Sequence, residues 1–131
     1  MHTFPFMRRL IVTNQNRPAV QPIEARACAT FLCQLRGLTF RRSLALDEGL
    51  LLVQKRDGTI DAAIHMFGVF IDLAVIWINS AGEVVDVRLA KSWRSILAPG
   101  KPACYVLEIN AARIDDFRIG ERVDFRELVP G

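Results

Sequence analysis

Asp72 is a carboxylate set inside an almost unbroken apolar run, Ala63 to Asn79, and His65 lies seven positions before it. A carboxylate and an imidazole together are the pair of general acid–base chemistry, which requires hydrogen-bond reach between them. A charge among apolar residues is costly unless it is paired or hydrogen-bonded, so Asp72 needs a structural or chemical reason to be there. On a strand, alternate residues share a face, which sets Asp72 beside Phe70, Ala74, Ile76 and Ile78. His65 has the opposite parity, and seven residues of straight strand span about 23 Å. The two can meet only if Gly68 reverses the chain or the flanking strands pair. The expectation is therefore a structural carboxylate that accepts backbone N–H bonds or pairs with Arg41 or Arg94. Placement beside a pocket is the functional alternative.

Lys91, Trp93 and Arg94 form a second group. A tryptophan beside cations in a loop suits a ligand or partner contact, and its plainer role is to cap a barrel. Arg36, Arg41 and Arg42 offer an anion or nucleic-acid face, although an arginine at a helix C-terminus also complements the macrodipole. Few aromatics accompany these charges, which argues against stacking on single strands. None of Ser43, Ser80, Ser92 and Ser95 sits in Gly-x-Ser-x-Gly. The glycines form neither Gly-x-Gly-x-x-Gly nor a phosphate loop, and no His-x-x-x-His or Cys/His cluster appears. A standard hydrolase, a nucleotide-binding protein and a zinc enzyme are not supported, and neither cofactor nor metal is expected. Cys28 and Cys33 would lie about 140° apart on a helix, so with Cys104 they read as small packing residues in a reducing compartment.

These residues must be positioned by one domain. The 131 residues are 51% apolar and 24% charged, with seventeen basic residues spread among fourteen acidic ones for a net charge of +3. That length buries a sizeable core without disulfides or metal. The mild positive charge is not concentrated as nucleic-acid domains require, so a nucleic-acid partner is not favoured. The N-terminus lacks the apolar core and cleavage site of a signal peptide, and Phe67 to Ile78 is too short and interrupted to span a bilayer as a helix. A soluble, cytoplasmic protein is expected, or a secreted one if a leader has been removed.

Along the chain, Phe6–Thr13 reads as a strand and Asn14–Pro22 as a loop. Ile23–Leu35, rich in alanine, reads as a helix ended by Gly37. Gly49–Lys55 is an apolar strand before the turn signal Asp57-Gly58. Ile60–Phe67 and Phe70–Asn79 read as strands separated by a bend at Gly68. Ser80-Ala81-Gly82 closes a hairpin into the alternating segment Glu83–Ala90. A loop over Leu97–Pro102, a strand over Ala103–Ile109, a helical turn over Asn110–Phe117 and a strand over Val123–Leu128 complete the pattern. The fold class is mainly β (α+β): a partly closed antiparallel β-barrel or curled sheet with one packed α-helix.

Gly37-Leu-Thr-Phe-Arg-Arg-Ser-Leu followed by Asp47-Glu-Gly-Leu-Leu-Leu resembles the GLM-x-R … EGLLF segment of the domain-of-unknown-function 192 family. Ile64 to Asn79 is similar to that family's branch with His-x-Phe and then Asp in the central strand. Lys91-Ser-Trp-Arg resembles its Lys-Pro-Trp-Arg. Val106-Leu-Glu-Ile-Asn-Ala and Ile119-Gly-Glu-Arg-Val resemble its closing VLELPAG … GD-x-V. The similarity runs from about Gly37 to Phe125. Thr39, Ile71, Met66-Phe67, Ala112 and Glu121 depart from the pattern. The resemblance implies a small β-rich domain and assigns no catalytic residue.

The leading expectation is a non-enzymatic binding or accessory module. Its cleft or barrel mouth near Arg41, His65, Asp72, Trp93 and Arg94 would take a small ligand or a partner protein. The first alternative is a hydrolase-like enzyme built on Asp72 and His65. The second is a weak nucleic-acid binder using Arg36, Arg41 and Arg42.

Overall fold

The computed structural model describes residues 8–29, 43–66, 68–93 and 96–128. Nine strands lie among them: β1 Arg8–Asn14, β2 Ile23–Cys28, β3 Glu48–Gly58, β4 Ile64–His65, β5 Leu73–Ile78, β6 Val84–Ala90, β7 Ile96–Leu97, β8 Ala103–Asn110 and β9 Val123–Glu127. Seven form one sheet in the order β6-β5-β8-β3-β2-β1-β9, and β4 pairs with β7 in a separate ribbon. Every pairing is antiparallel except β2 with β3, which run parallel.

The sheet curls until its edge strands approach. Glu83 bridges Arg122, Val84 N–H donates to the Glu121 carbonyl at 2.8 Å, and Val123 N–H donates to the Gly82 carbonyl at 2.8 Å. Gly82 makes this closure possible. Its φ is +88°, and a side chain there would also crowd the Val123 carbonyl at 3.1 Å. The mainly-β, partly closed sheet expected from the sequence is the observed architecture.

The sheet has two apolar faces. Leu10, Val12, Ile23, Leu51, Ile76, Leu107 and Phe117 build one core. Leu50, Leu52, Leu73, Val75, Trp77 and Val106 build the other, covered by Ala62, Ile64, Met66 and Val69. β5, paired on both sides by β6 and β8, is buried at all six positions because it supplies both cores, so it reads as a continuous apolar run without alternation. Gly49 lies where the strands are closest: a Cβ there would sit 2.8 Å from Ile23 Cγ2 and 3.1 Å from Ile109 Cγ2. That absence of side chain seats β3 against β2 and β8.

Several local expectations are corrected. The helix read from Ile23 begins instead as β2, with Ile23, Ala25 and Ala27 buried and Glu24 exposed. Alanines suit a helix, but here they alternate, and small residues pack flat against the sheet's own core. The remainder of that helix, from position 30 on, lies outside the described residues. The only helix among the described residues is the 3-10 helix Ala111–Asp116, capped by Asn110, whose side chain accepts from Ala112 N–H. Asp57-Gly58 is not a turn, since β3 continues through it, and Asp57 accepts bonds from the Ser80 N–H and hydroxyl at 2.9 and 2.7 Å. The strand expected over Ile60–Phe67 shrinks to β4. Cys28 is disulfide-bonded while Cys104 is a free thiol, so the reading of all three cysteines as reduced packing residues does not hold.

Candidate functional site

Asp72 precedes β5 by one residue, so it is not bound to the alternation expected of a strand position. Its side chain is 40% exposed and pairs with the Lys91 ammonium at 3.6 Å. Its other oxygen accepts the Ser92 N–H at 2.8 Å. The partner is thus a lysine and a backbone amide rather than an arginine. Arg41 and Arg94, the expected partners, lie outside the described residues, as do Arg36 and Arg42.

The bond to Ser92 fixes the loop after β6, and the next residue is Trp93. Its backbone is left-handed with φ +65°. This conformation costs a bulky residue about 1–3 kcal/mol and persists only where neighbours impose it. Here the Trp93 N–H donates to the Met66 carbonyl at 3.2 Å, while the Asp72 bond holds the preceding amide. The outcome is a large ring held 49% exposed. It stands edge-on to Phe70, itself partly exposed, with centroids 5.5 Å apart and planes at 69°. His65 sits on β4 in register with Ile96, beside the Met66 that receives Trp93. Three of the five residues expected to share a site, His65, Asp72 and Trp93, are therefore connected through one loop. The two carboxylate oxygens of Asp72 contact the loop through Lys91 and Ser92. Among the described residues, no group of three or more His, Cys, Asp or Glu side chains could hold a metal ion.

A carboxylate in a far more apolar setting was not singled out in the sequence. Glu108 on β8 is only 6% exposed. Its directly opposed neighbours are Leu50 on β3 and Val75 on β5, both core residues of the same face. Burial alone pushes its carboxyl up to about 7. The signal was present in Val106-Leu-Glu-Ile: an acid flanked by leucine and isoleucine on a strand shares its face with Val106. Asp72 drew attention through the longer apolar run, but length of run is not burial.

A third polar centre lies at the closed end of the sheet. Glu121 receives Arg17 Nε at 2.7 Å, Asn14 Nδ2 at 2.8 Å and Arg118 N–H at 2.8 Å. The Arg17 hydrogen bond, aided by Asn14, holds its carboxyl down at about 2. Nearby Arg113 is 7% exposed and fully engaged: Asp116 at 2.5 Å, the Leu46 carbonyl at 2.8 Å and the Gln21 carbonyl at 2.6 Å. A cleft of about 460 Å³ opens here, lined among others by Arg17, Val20, Leu46 and Arg113. It contains none of the residues expected to form the site.

The model of the family described as "Uncharacterized ACR", DUF192, matches residues 11–125. A UPF0127 protein of Thermococcus kodakarensis is 32% identical over 98 residues, covering 75% of this chain and 60% of that protein. The chain thus spans about three-fifths of that relative's length. A UPF0127 protein of Pyrococcus furiosus is 32% identical over 111 residues, covering 82% of this chain and 90% of its own. Among solved structures, one from Sinorhizobium meliloti, described as a candidate transcription regulator, superposes with TM-score 0.79 at 20% identity, over 90% of this chain and 92% of that one. At that identity the likeness shows the fold alone. A protein of unknown function from Novosphingobium aromaticivorans superposes with TM-score 0.75 at 25% identity, covering 88% of this chain and 83% of that one.

Proposed function

Because this chain belongs to the domain-of-unknown-function 192 family, whose description assigns no activity, we propose its role from its own geometry: a non-enzymatic binding module. It presents Trp93 and Phe70 to a small ligand or a partner protein. The observation that carries this reading is the left-handed Trp93. A fold that spends backbone strain while leaving an indole half exposed recovers at most about that cost from the Phe70 contact. Exposed aromatics held rigidly give large contact area at little entropic cost, which is what binding surfaces use. Asp72, Lys91 and the Met66 carbonyl then have a shared role, which is to fix the loop that carries the ring. The disulfide at Cys28 supports an oxidising compartment over the reducing one expected from the sequence.

Two tryptophans make the test direct. Trp77 is fully buried and donates its indole N–H to the Ala62 carbonyl at 2.8 Å, whereas Trp93 is exposed, so iodide quenching reads Trp93. A ligand library is screened by thermal shift. Hits are expected to protect the indole from iodide and to lose their effect on Trp93→Ala. Ligands that shift Trp93→Ala as they shift the native chain would overturn the assignment, as would a screen with no hit.

A further inference from the structure

The cleft of about 460 Å³ at the closed end of the sheet lies apart from the Trp93 platform, and its volume is that of a small-molecule site. Three segments wall it: the β1–β2 loop with Arg17, Val20 and Gln21, the approach to β3 with Leu46 and Asp47, and the 3-10 helix with Arg113 and Asp116. Each wall is tied to another. Buried Arg113 donates to the Gln21 carbonyl of the first segment and to the Leu46 carbonyl of the second. Arg17 Nη2 donates to the Asp115 carbonyl at 2.9 Å and Asn14 Nδ2 to the Asp116 carbonyl at 2.9 Å, which fastens the helix to the loop. Glu24 N–H donates to the Asp47 carbonyl at 2.7 Å. The cleft is therefore formed before anything enters it, and a ligand has no loop to order.

The same bonds decide which polar groups are left over. All three guanidinium nitrogens of Arg113 are engaged, and Arg17 has given Nε and Nη2 to Glu121 and the Asp115 carbonyl. Asp116 engages Oδ2 and leaves Oδ1 without a hydrogen bond among the described residues. The Asp47 carboxylate is exposed on the lining, and no hydrogen bond or ion pair reaches it among the described residues. What remains is mostly acceptors. The charges agree: Arg113 is balanced by Asp116 and Arg17 by Glu121, while Asp47 and the adjacent Asp115 have no ion pair among the described residues. The bond to Glu121, backed by the charges of Asp116 and Asp115, holds the Arg17 guanidinium above its ordinary pKa, so even this cation stands in a negative field.

The rest of the lining is apolar. Leu46 is 58% exposed and joins Ala19 and Val20. A lone exposed leucine needs no explanation, but one in a cleft beside an unpaired carboxylate offers both parts that an amphipathic cation requires. We infer that this cleft binds a small primary alkylamine, with its chain along Leu46 and Val20, its ammonium on the Asp47 carboxylate and Asp116 Oδ1 as a further acceptor. An anion would find only Arg17 Nη1, on a guanidinium that Glu121 already holds. The assignment goes beyond the Trp93 platform and does not depend on it.

The test is a titration of the full chain, followed by two-dimensional amide NMR, with pentylamine, pentanol and pentanoate. The three probes share one chain length and differ in the head group. Pentylammonium is expected to shift the Val20, Leu46 and Asp47 amides saturably and to bind about tenfold tighter than pentanol, the contribution of one charge-assisted hydrogen bond. Pentanoate is expected to leave those amides unmoved. Asp47→Asn brings pentylamine down to the level of pentanol, and Leu46→Ala weakens both by a similar factor. Both side chains are exposed, and the Asp47 carbonyl keeps its bond to Glu24, so neither substitution threatens the fold. Pentanoate binding as tightly as pentylamine overturns the proposal. So does an affinity that survives Asp47→Asn, or shifts confined to other parts of the sheet. A lysine capped at both ends carries the same ammonium on a peptide. If it binds more tightly than pentylamine, the occupant is a protein side chain and the small amine is ruled out.

Discussion

Glu108 and Glu121 are the same residue type on one curled sheet, and their carboxyls move in opposite directions. Glu121 is pulled down to about 2 by Arg17, Asn14 and the Arg118 amide. Glu108 is pushed up to about 7 by burial alone. Glu108 is buried and Glu121 partly so, yet burial raises both carboxyls, so burial alone does not give them opposite directions. What differs is whether the fold provides donors: three at the closed end, none around Glu108 among the described residues. A carboxylate supplied with donors fastens two loops together. One without them is held in its neutral form by its apolar surroundings.

The largest effect that tests this contrast is Glu108→Gln. In the unfolded chain the acid ionises near 4.5, while in the fold it keeps its proton to about 7. Between those values only the native state holds the proton, so stability falls as pH rises from 4.5 to 7 and stays reduced above. The gap corresponds to on the order of 3 kcal/mol. Glu108→Gln should be more stable than the native chain by that amount at pH 8 and equal to it below pH 4. Urea melts at the two pH values measure it, and parallel stability profiles for the two proteins would show that Glu108 has a partner after all.

Glu121→Gln should do the reverse. Its carboxylate is ionised in the fold down to about 2 against 4.5 unfolded, so its contribution is complete above 4.5 and disappears as pH falls through 2. Losing the charge-assisted bonds from Arg17 costs about 2 kcal/mol at neutral pH. The variant should unfold earlier in urea at pH 7 and converge on the native curve near pH 2. A constant deficit at all pH values would mean that shape, and not charge, is what Glu121 provides.

Asp72 is tied to the fold through an exposed partner. Against an arginine buried beside it, removal would have cost 3–5 kcal/mol by leaving that charge stranded. Its actual partner, Lys91, is 60% exposed and returns to water without penalty. Asp72→Ala should therefore cost only about 1 kcal/mol, mostly the Ser92 bond. Differential scanning calorimetry decides between the two magnitudes, and a loss near the larger one would place a buried cation at Asp72.

The sequence exposed the architecture better than the chemistry, for a physical reason. Alternation and turn residues are local, so the Ser80–Gly82 hairpin, β8, the 3-10 helix after Asn110 and β9 were all legible. β2 was not, because Ala25 and Ala27 have the same identity in a helix or against a flat core, and only its pairing with β1 and β3 decides. The site was half legible. Trp93 and Asp72 stand out by type and spacing, and the expected backbone N–H bond to Asp72 comes from Ser92, but its ionic partner is Lys91 rather than an arginine. The burial of Glu108 shows only when β3, β5 and β8 are set side by side, a relation spread over more than fifty positions of chain.

The smallest stability effect belongs to Trp93, and its smallness is what makes it informative. Trp93→Gly removes a left-handed conformation that costs a bulky residue about 1–3 kcal/mol. It also removes the edge-on contact with Phe70, worth about 0.5–1.5 kcal/mol, together with the area that contact covers. Gain and loss are of similar size, so the melting temperature should move by no more than a few degrees in either direction. Trp93→Ala keeps the strain and loses the ring, so it should be less stable than Trp93→Gly by about 1 kcal/mol. If the two variants melt together, the backbone at this position is not strained, and the case for a ring held out for binding loses its foundation. If glycine is the more stable and both variants lose every ligand that protects the indole, stability and binding have been separated at one residue.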